Sequence, residues 1–245
     1  MNGLRTAAAI LAATWLAGSV GCVQLSTEMA VANAPAPAPA FESKVAFGKL
    51  YERQGDTTKA QELYRAALKR NPNDVNALHR LAVVAARTGN YDESDAYFER
   101  AYTLSPNDSV LMSDFGYAVS LQRRLEEAEF LLEKSLALDP QNSAARNNLA
   151  LVVGLQGRLN ASMAIFRQTG SEAQAHANLG FVHVQRGEFD LAVSHYNQAL
   201  SLDNDLRPAA EALIQLAQFQ QNANRTSVAS STSAVRPVGA TTEQR

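Results

Sequence analysis

One pattern of small and large side chains returns every 34 residues along this chain, and few folds can accommodate it. Gly48, Ala82, Gly116 and Ala150 stand 34 apart, with Gly180 30 further on. Phe47, Leu81, Phe115, Leu149 and Leu179 each precede them by one position. Twelve residues after each small residue come Ala60, Ser94, Ala128, Ser162 and Ala192, and four beyond those Tyr64, Phe98, Leu132, Phe166 and Tyr196. Pro72, Pro106 and Pro140 keep the same period. A fixed period with a fixed chemistry at each place marks a stacked repeat array, in which each unit buries its apolar face only against its neighbours.

Within a unit the apolar residues recur at helical spacing in two runs. Between the runs lie Gln-Gly-Asp (54–56), Thr-Gly-Asn (88–90), Gln-Gly-Arg (156–158) and Arg-Gly-Glu (186–188). Glycine there suits a left-handed helix cap that strains other residues. Each unit therefore reads as two antiparallel helices joined by a tight turn. The matched small residues let the two backbones approach, and the bulky one fills the space beside that contact. Proline ends the second helix because it lacks an N–H and its ring blocks the preceding turn.

These places resemble the tetratricopeptide repeat (TPR) over residues 41–206. Five units follow: 41–74, 75–108, 109–142, 143–172 and 173–206, within a repeat domain spanning 41–222. The segment 207–222, with Ala210, Leu213, Leu216 and Ala217, resembles the extra helix that covers a last repeat. The resemblance implies an all-α fold, a right-handed superhelix of about five helix pairs plus a C-terminal capping helix. Two departures stand out. Arg123 occupies the place of the turn glycine, so that turn is either strained or differently shaped. The fourth unit is four residues short and lacks its proline; there Gly170 can end the second helix, and Ser171-Glu172-Ala173-Gln174 has the form of a capping box.

The ends differ in kind. Residues 1–22 combine Arg5, an apolar run from Thr6 to Val20 and small residues, the form of a secretory signal. The one cysteine, Cys22, follows Ser19-Val20-Gly21. That resembles a bacterial lipoprotein cleavage site, which implies lipid attachment at Cys22, although such sites usually carry leucine where Ser19 stands. The alternative is ordinary cleavage near Gly21 with a free thiol left over. Residues 23–40 form an Ala/Pro-rich linker including Ala-Pro-Ala-Pro-Ala-Pro-Ala (34–40), long enough to hold the repeats roughly 50 Å from a membrane. Residues 223–245, rich in Ser, Thr and Ala with few large apolar groups, read as a disordered tail.

With 22 Lys+Arg against 24 Asp+Glu, the formal charge is -2. That balance argues against bulk electrostatic binding of nucleic acid or anionic lipid. The sequence contains no phosphate loop, no G-x-S-x-G and no H-E-x-x-H, and it gives no reason to expect a cofactor, a small-molecule substrate or a catalytic residue. Asp92-Glu93 and Glu126-Glu127 lie early in second helices, where they favour the positive end of the helix dipole. His176, His183 and His195 invite a metal reading, since the first two share a helical face. His183 matches Tyr51 and His195 matches Leu63, however, and no cysteine or nearby carboxylate is expected to complete a ligand set. They read as partly buried packing residues, and no metal site is expected.

Binding remains. In the family, first helices line a concave groove. The resemblance places Arg80, Asp114, Asn148 and Asn178 in one row there and Val83, Tyr117, Leu151 and Phe181 in another, with Asn147 as a further amide. Amides can pair with an extended peptide's backbone while the apolar row takes its side chains; alternatively Leu151 and Phe181 pack between units. The clamp that some of these repeats use for a terminal carboxylate is absent, because Val45, Lys49, Arg80, Val110 and Asp114 occupy its positions. The lipoprotein-like start and strings such as Asp114-Phe115-Gly116-Tyr117-Ala118 and Asn147-Asn148-Leu149-Ala150-Leu151 also resemble the repeat lipoproteins of tight-adherence (Flp) pilus assembly. That implies an exported, periplasmic scaffold, lipid-anchored to the outer membrane, which binds a protein or peptide and assists a pilus or secretion machine. The competing expectations are an adaptor for cell-wall enzymes, a pilotin-like helper of a secretin and, from a different class, a metal-dependent enzyme using the histidines.

Overall fold

The computed structural model describes residues 41–233, with side chains from 44 to 222. The expected signal at 1–22, Cys22, the linker at 23–40 and the tail beyond 233 lie outside the described residues. Every regular element among the described residues is helical. The first unit comprises α1 (Phe41–Arg53) and α2 (Thr57–Leu68), the second α3 (Val75–Arg87) and α4 (Tyr91–Leu104). The third comprises α5 (Ser109–Leu121) and α6 (Leu125–Leu138), the fourth α7 (Ser143–Leu155) and α8 (Leu159–Phe166). The fifth comprises α9 (Glu172–Arg186) and α10 (Phe189–Leu202), followed by α11 (Arg207–Ser233). The described residues divide between two compact units, 41–171 and 172–233.

Local chemistry sets these boundaries. Asp74, Asp108 and Asn142, themselves 34 apart, cap α3, α5 and α7 by accepting from the backbone N–H groups of Ala77, Leu111 and Ala145 at 2.9–3.0 Å. Each satisfies one of the donors a helix start leaves unpaired. Gly55, Gly89, Gly157 and Gly187 take positive φ in the turns, and Arg123 does the same at φ 64°. The strained alternative is thus the one adopted: the turn keeps its shape and an arginine bears the cost.

The close helix crossings fall where the period places them. Ala60, Ser94, Ala128, Ser162 and Ala192 are all fully buried. The two buried serine hydroxyls are satisfied across the crossing, Ser94 Oγ donating to Ala82 O at 2.9 Å and Ser162 Oγ to Ala150 O at 2.7 Å. A Cβ on Gly116 would lie 2.8 Å from Leu132 Cγ, and one on Gly180 2.9 Å from the Tyr196 ring. Phe98 of the second unit stacks on Phe115 of the third, centroids 4.8 Å apart. Phe47 is the exception among the large apolar residues, 45% exposed, because no described helix precedes α1.

Two expectations are corrected. The short fourth unit ends its second helix at Phe166 rather than at Gly170, and α9 begins just after Ser171. Helix α11 continues to Ser233, so the first part of the expected disordered tail at 223–245 is helical. Its buried face also differs slightly: Ala209, Ala212 and Leu216 face the fifth unit's core, while Ala217 is exposed.

Candidate functional site

In the unit spanning 41–171, successive first helices touch: α1 meets α3, α3 meets α5, and α5 meets α7. This inner layer carries most of the residues expected to line a groove. Its polar members are engaged with one another. Glu52 near the end of α1 accepts from Arg80 Nε at 3.1 Å and Nη2, from Arg87 Nη1 at 3.1 Å and from Tyr64 OH at 3.0 Å. His79 Nε2 meets Asp114 Oδ2 at 2.8 Å, and Asn148 Nδ2 reaches Ser113 Oγ at 3.4 Å. Asn147 accepts from the Thr169 hydroxyl.

A rule emerges from these bonds. His79 and Ser113 hold the fifth position of their units, and Asp114 and Asn148 hold the sixth position of the next. The two rungs are therefore both 35 residues apart in sequence. Arg80 and Asp114 consequently stitch the inner helices together rather than standing ready for a ligand. This departs from the expected polar row, and the reason is desolvation: charged groups pressed between helices need partners. Neither the rungs nor Glu52 was expected from the sequence; the matched offset of 35 was the available signal.

The apolar row divides. Val83 is buried in the core. Tyr117 and Leu151 are half-exposed at the same place on α5 and α7. Burial holds the Tyr117 phenol above its ordinary pKa, opposed by the nearby Arg87 charge and reinforced by Tyr91. The Arg87 side chain is 43% exposed. Asn178 and Phe181 are half-exposed on α9, in the unit spanning 172–233.

That second unit holds the three histidines in a column. His195 on α10 stacks on His183 of α9, centroids 5.1 Å apart and 12° from parallel, and lies 5.2 Å from the His176 ring. The Nδ1 atoms of His176 and His195 are 3.0 Å apart, so one must donate and the other accept. His183, nearly fully buried, bonds through Nδ1 to Glu188 at 2.7 Å. Burial, then the neighbouring His183 and His176, lower the His195 pKa to about 4. Hydrogen bonds from Arg186 and then from His183 lower Glu188 to about 2. Two carboxylates do stand beside the histidines, Glu188 against His183 and Glu172 at 3.6 Å from His176 Nε2. Even so, no group of three or more His, Cys, Asp or Glu among the described residues is arranged to hold a metal ion. The rings lie face to face, and His183 Nδ1 is already committed to Glu188.

Known proteins support the architecture. Tetratricopeptide-repeat families match residues 45–109 and 173–206. A thermophilic TPR protein of Thermus thermophilus is similar in structure, with a TM-score of 0.59 and 22% identity, over 73% of this chain and 100% of that one. PilW, described as a widely conserved type IV pilus biogenesis factor, is similar with a TM-score of 0.56 and 18% identity, over 74% of this chain and 93% of its own. PilF of Pseudomonas aeruginosa is similar with a TM-score of 0.53 and 20% identity, over 74% and 97%. No curated protein matches the chain by sequence. With the periodic helix pairs, the glycine turns and these matches together, the chain carries tetratricopeptide repeats.

Proposed function

We propose that this protein is a non-catalytic scaffold of the bacterial cell envelope that binds a protein partner along its inner helices and assists assembly of a pilus or secretion machine. The observation that carries the binding reading is the pair Tyr117 and Leu151, half-exposed at one place on successive inner helices while the polar groups beside them are already paired. Apolar surface of that kind, set in a rigid frame, gains from being covered. Likeness in fold to PilW favours a pilus over other envelope machines. No described helix is long and apolar enough to cross a membrane; the anchor in this reading is a lipid on Cys22.

Affinity capture from detergent-solubilised envelopes tests the reading. The wild type should retain a pilus or secretion component, and Tyr117→Ala with Leu151→Ala should lose it while keeping its helicity and melting temperature. Full retention by the folded double variant would sink the groove. Cys22→Ser should move the protein from the membrane to the soluble periplasmic fraction; a wild type already soluble there refutes the anchor.

A further inference from the structure

The inner face of the first two units is basic. Lys49, Glu52 and Arg53 share one face of α1, being three and four residues apart. Glu52 is almost wholly enclosed, its side chain 8% exposed, and it is shared by the two arginines Arg80 and Arg87. One carboxylate cannot neutralise two guanidinium groups, so positive charge is left over. Lys49 and Arg53 are exposed beside it and add to the excess. The acid on the next inner helix, Asp114, is hydrogen-bonded to His79 and lies in the third unit, outside this basic end. Arg87 gives Nη1 to Glu52 and remains 43% exposed, so its other N–H donors are open to a second carboxylate in the paired geometry that arginine favours.

This basic end is continuous with the apolar row. The Arg87 charge is felt at the Tyr117 phenol, with Tyr91 alongside, and Leu151 follows at the same place one helix on. From these placements we infer that the inner face of units one to four selects an extended peptide segment in which acidic residues are followed, along the groove, by apolar ones. The acidic residues meet Arg87 with Lys49 and Arg53, and the apolar residues lie on Tyr117 and Leu151. Packed helices are about 8–10 Å apart, and an extended chain rises about 3.3 Å per residue. Successive anchors in the segment are therefore about three residues apart: an Asp or Glu, then a large apolar residue, then a second. The inference deepens the groove reading proposed above and depends on it.

Phage-displayed random dodecapeptides panned on the full-length protein test it. The enriched pool should carry Asp or Glu about three residues from an aromatic or aliphatic residue. A fluorescein-labelled peptide from that pool should bind at least tenfold more weakly to Arg87→Glu, and raising salt from 0.05 to 0.5 M should weaken its binding to the wild type. Because Arg87 is paired with Glu52, Lys49→Glu with Arg53→Glu provides a second variant outside that network, expected to weaken binding at least threefold. An enriched pool without acidic residues, no enrichment at all, or affinity unchanged in both variants would overturn the inference. The groove itself is judged separately: binding lost in Tyr117→Ala but unchanged in the charge variants leaves the groove standing without its acidic preference. Binding indifferent to Tyr117→Ala with Leu151→Ala removes the groove as well.

Discussion

Arg123 holds the left-handed conformation that glycine holds at 55, 89, 157 and 187. That conformation costs an L residue about 1–2 kcal/mol, and glycine returns part of the gain through a freer unfolded chain. Arg123→Gly should therefore stabilise the protein by about 0.5–1 kcal/mol, read as a higher melting temperature, and a β-branched Arg123→Val should lower it. Ala128 is fully buried where α5 and α6 cross, its carbonyl oxygen 3.2 Å from where a Cβ on Gly116 would stand. Ala128→Leu should overpack that crossing at a cost of roughly 1–3 kcal/mol; an unchanged melting temperature would contradict the register. At this scale the sequence was highly legible. Small residues at a fixed period report a steric requirement that every unit shares, so Ala60, Ser94, Ala128, Ser162 and Ala192 could be placed without a structure. The serine hydroxyls at 94 and 162 needed the coordinates, because their acceptors are backbone atoms that no residue identity announces.

Between elements, a bracket repeats on the outer side. Asp95 of α4 accepts from Gln122 at 2.8 Å and from Arg124, and Glu129 of α6 accepts in the same way from Gln156 at 2.8 Å and from Arg158. The turn of one unit thus grips the second helix of the unit before it. These pairs are partly exposed and screened by solvent, so Asp95→Ala should cost no more than about 1 kcal/mol, and 1 M salt should shrink the difference in melting temperature. The histidine column behaves differently. His195 takes up a proton near 6.5 when unfolded but only near 4 when folded, so acid draws the chain toward the unfolded state within that window. Glu188, depressed from 4.5 to about 2, adds to the loss in its own lower window. Stability should therefore fall as pH drops from about 6.5, and His195→Leu should flatten the decline between 6.5 and 4 while leaving the Glu188 part below 4.5. Hydrogen exchange across α9 and α10 against pH would show it; an equal slope in the variant would refute the assignment. The sequence placed these histidines in packing positions but missed their carboxylates, because Glu188 belongs to a turn whose side-chain directions no helical period gives.

For the whole molecule, the array can end only where something covers its last apolar face. Ala209, Ala212 and Leu216 of α11 do so, sharing a core with Ala192, Tyr196 and Ala199 of α10. A chain stopped after Leu206 should melt earlier than the full protein and bind more hydrophobic dye; equal melting would show that α11 is dispensable. The candidate site was half legible. The apolar row at Tyr117 and Leu151 could be read because it follows the period. The polar row could not, because whether a charge is free depends on the neighbouring unit rather than on its own. The rungs between inner helices have a consequence for how such a chain can lengthen. His79 meets Asp114 and Ser113 meets Asn148, each joining the fifth position of one unit to the sixth of the next. A tandem copy of residues 75–108 would set His79 against a second Arg80 in place of an acid. A copy of residues 109–142 would offer Ser113 a second Asp114, an acceptable partner. The units look interchangeable in outline, yet their order is written into these pairs, and gene duplication would be tolerated after the third unit far more readily than after the second.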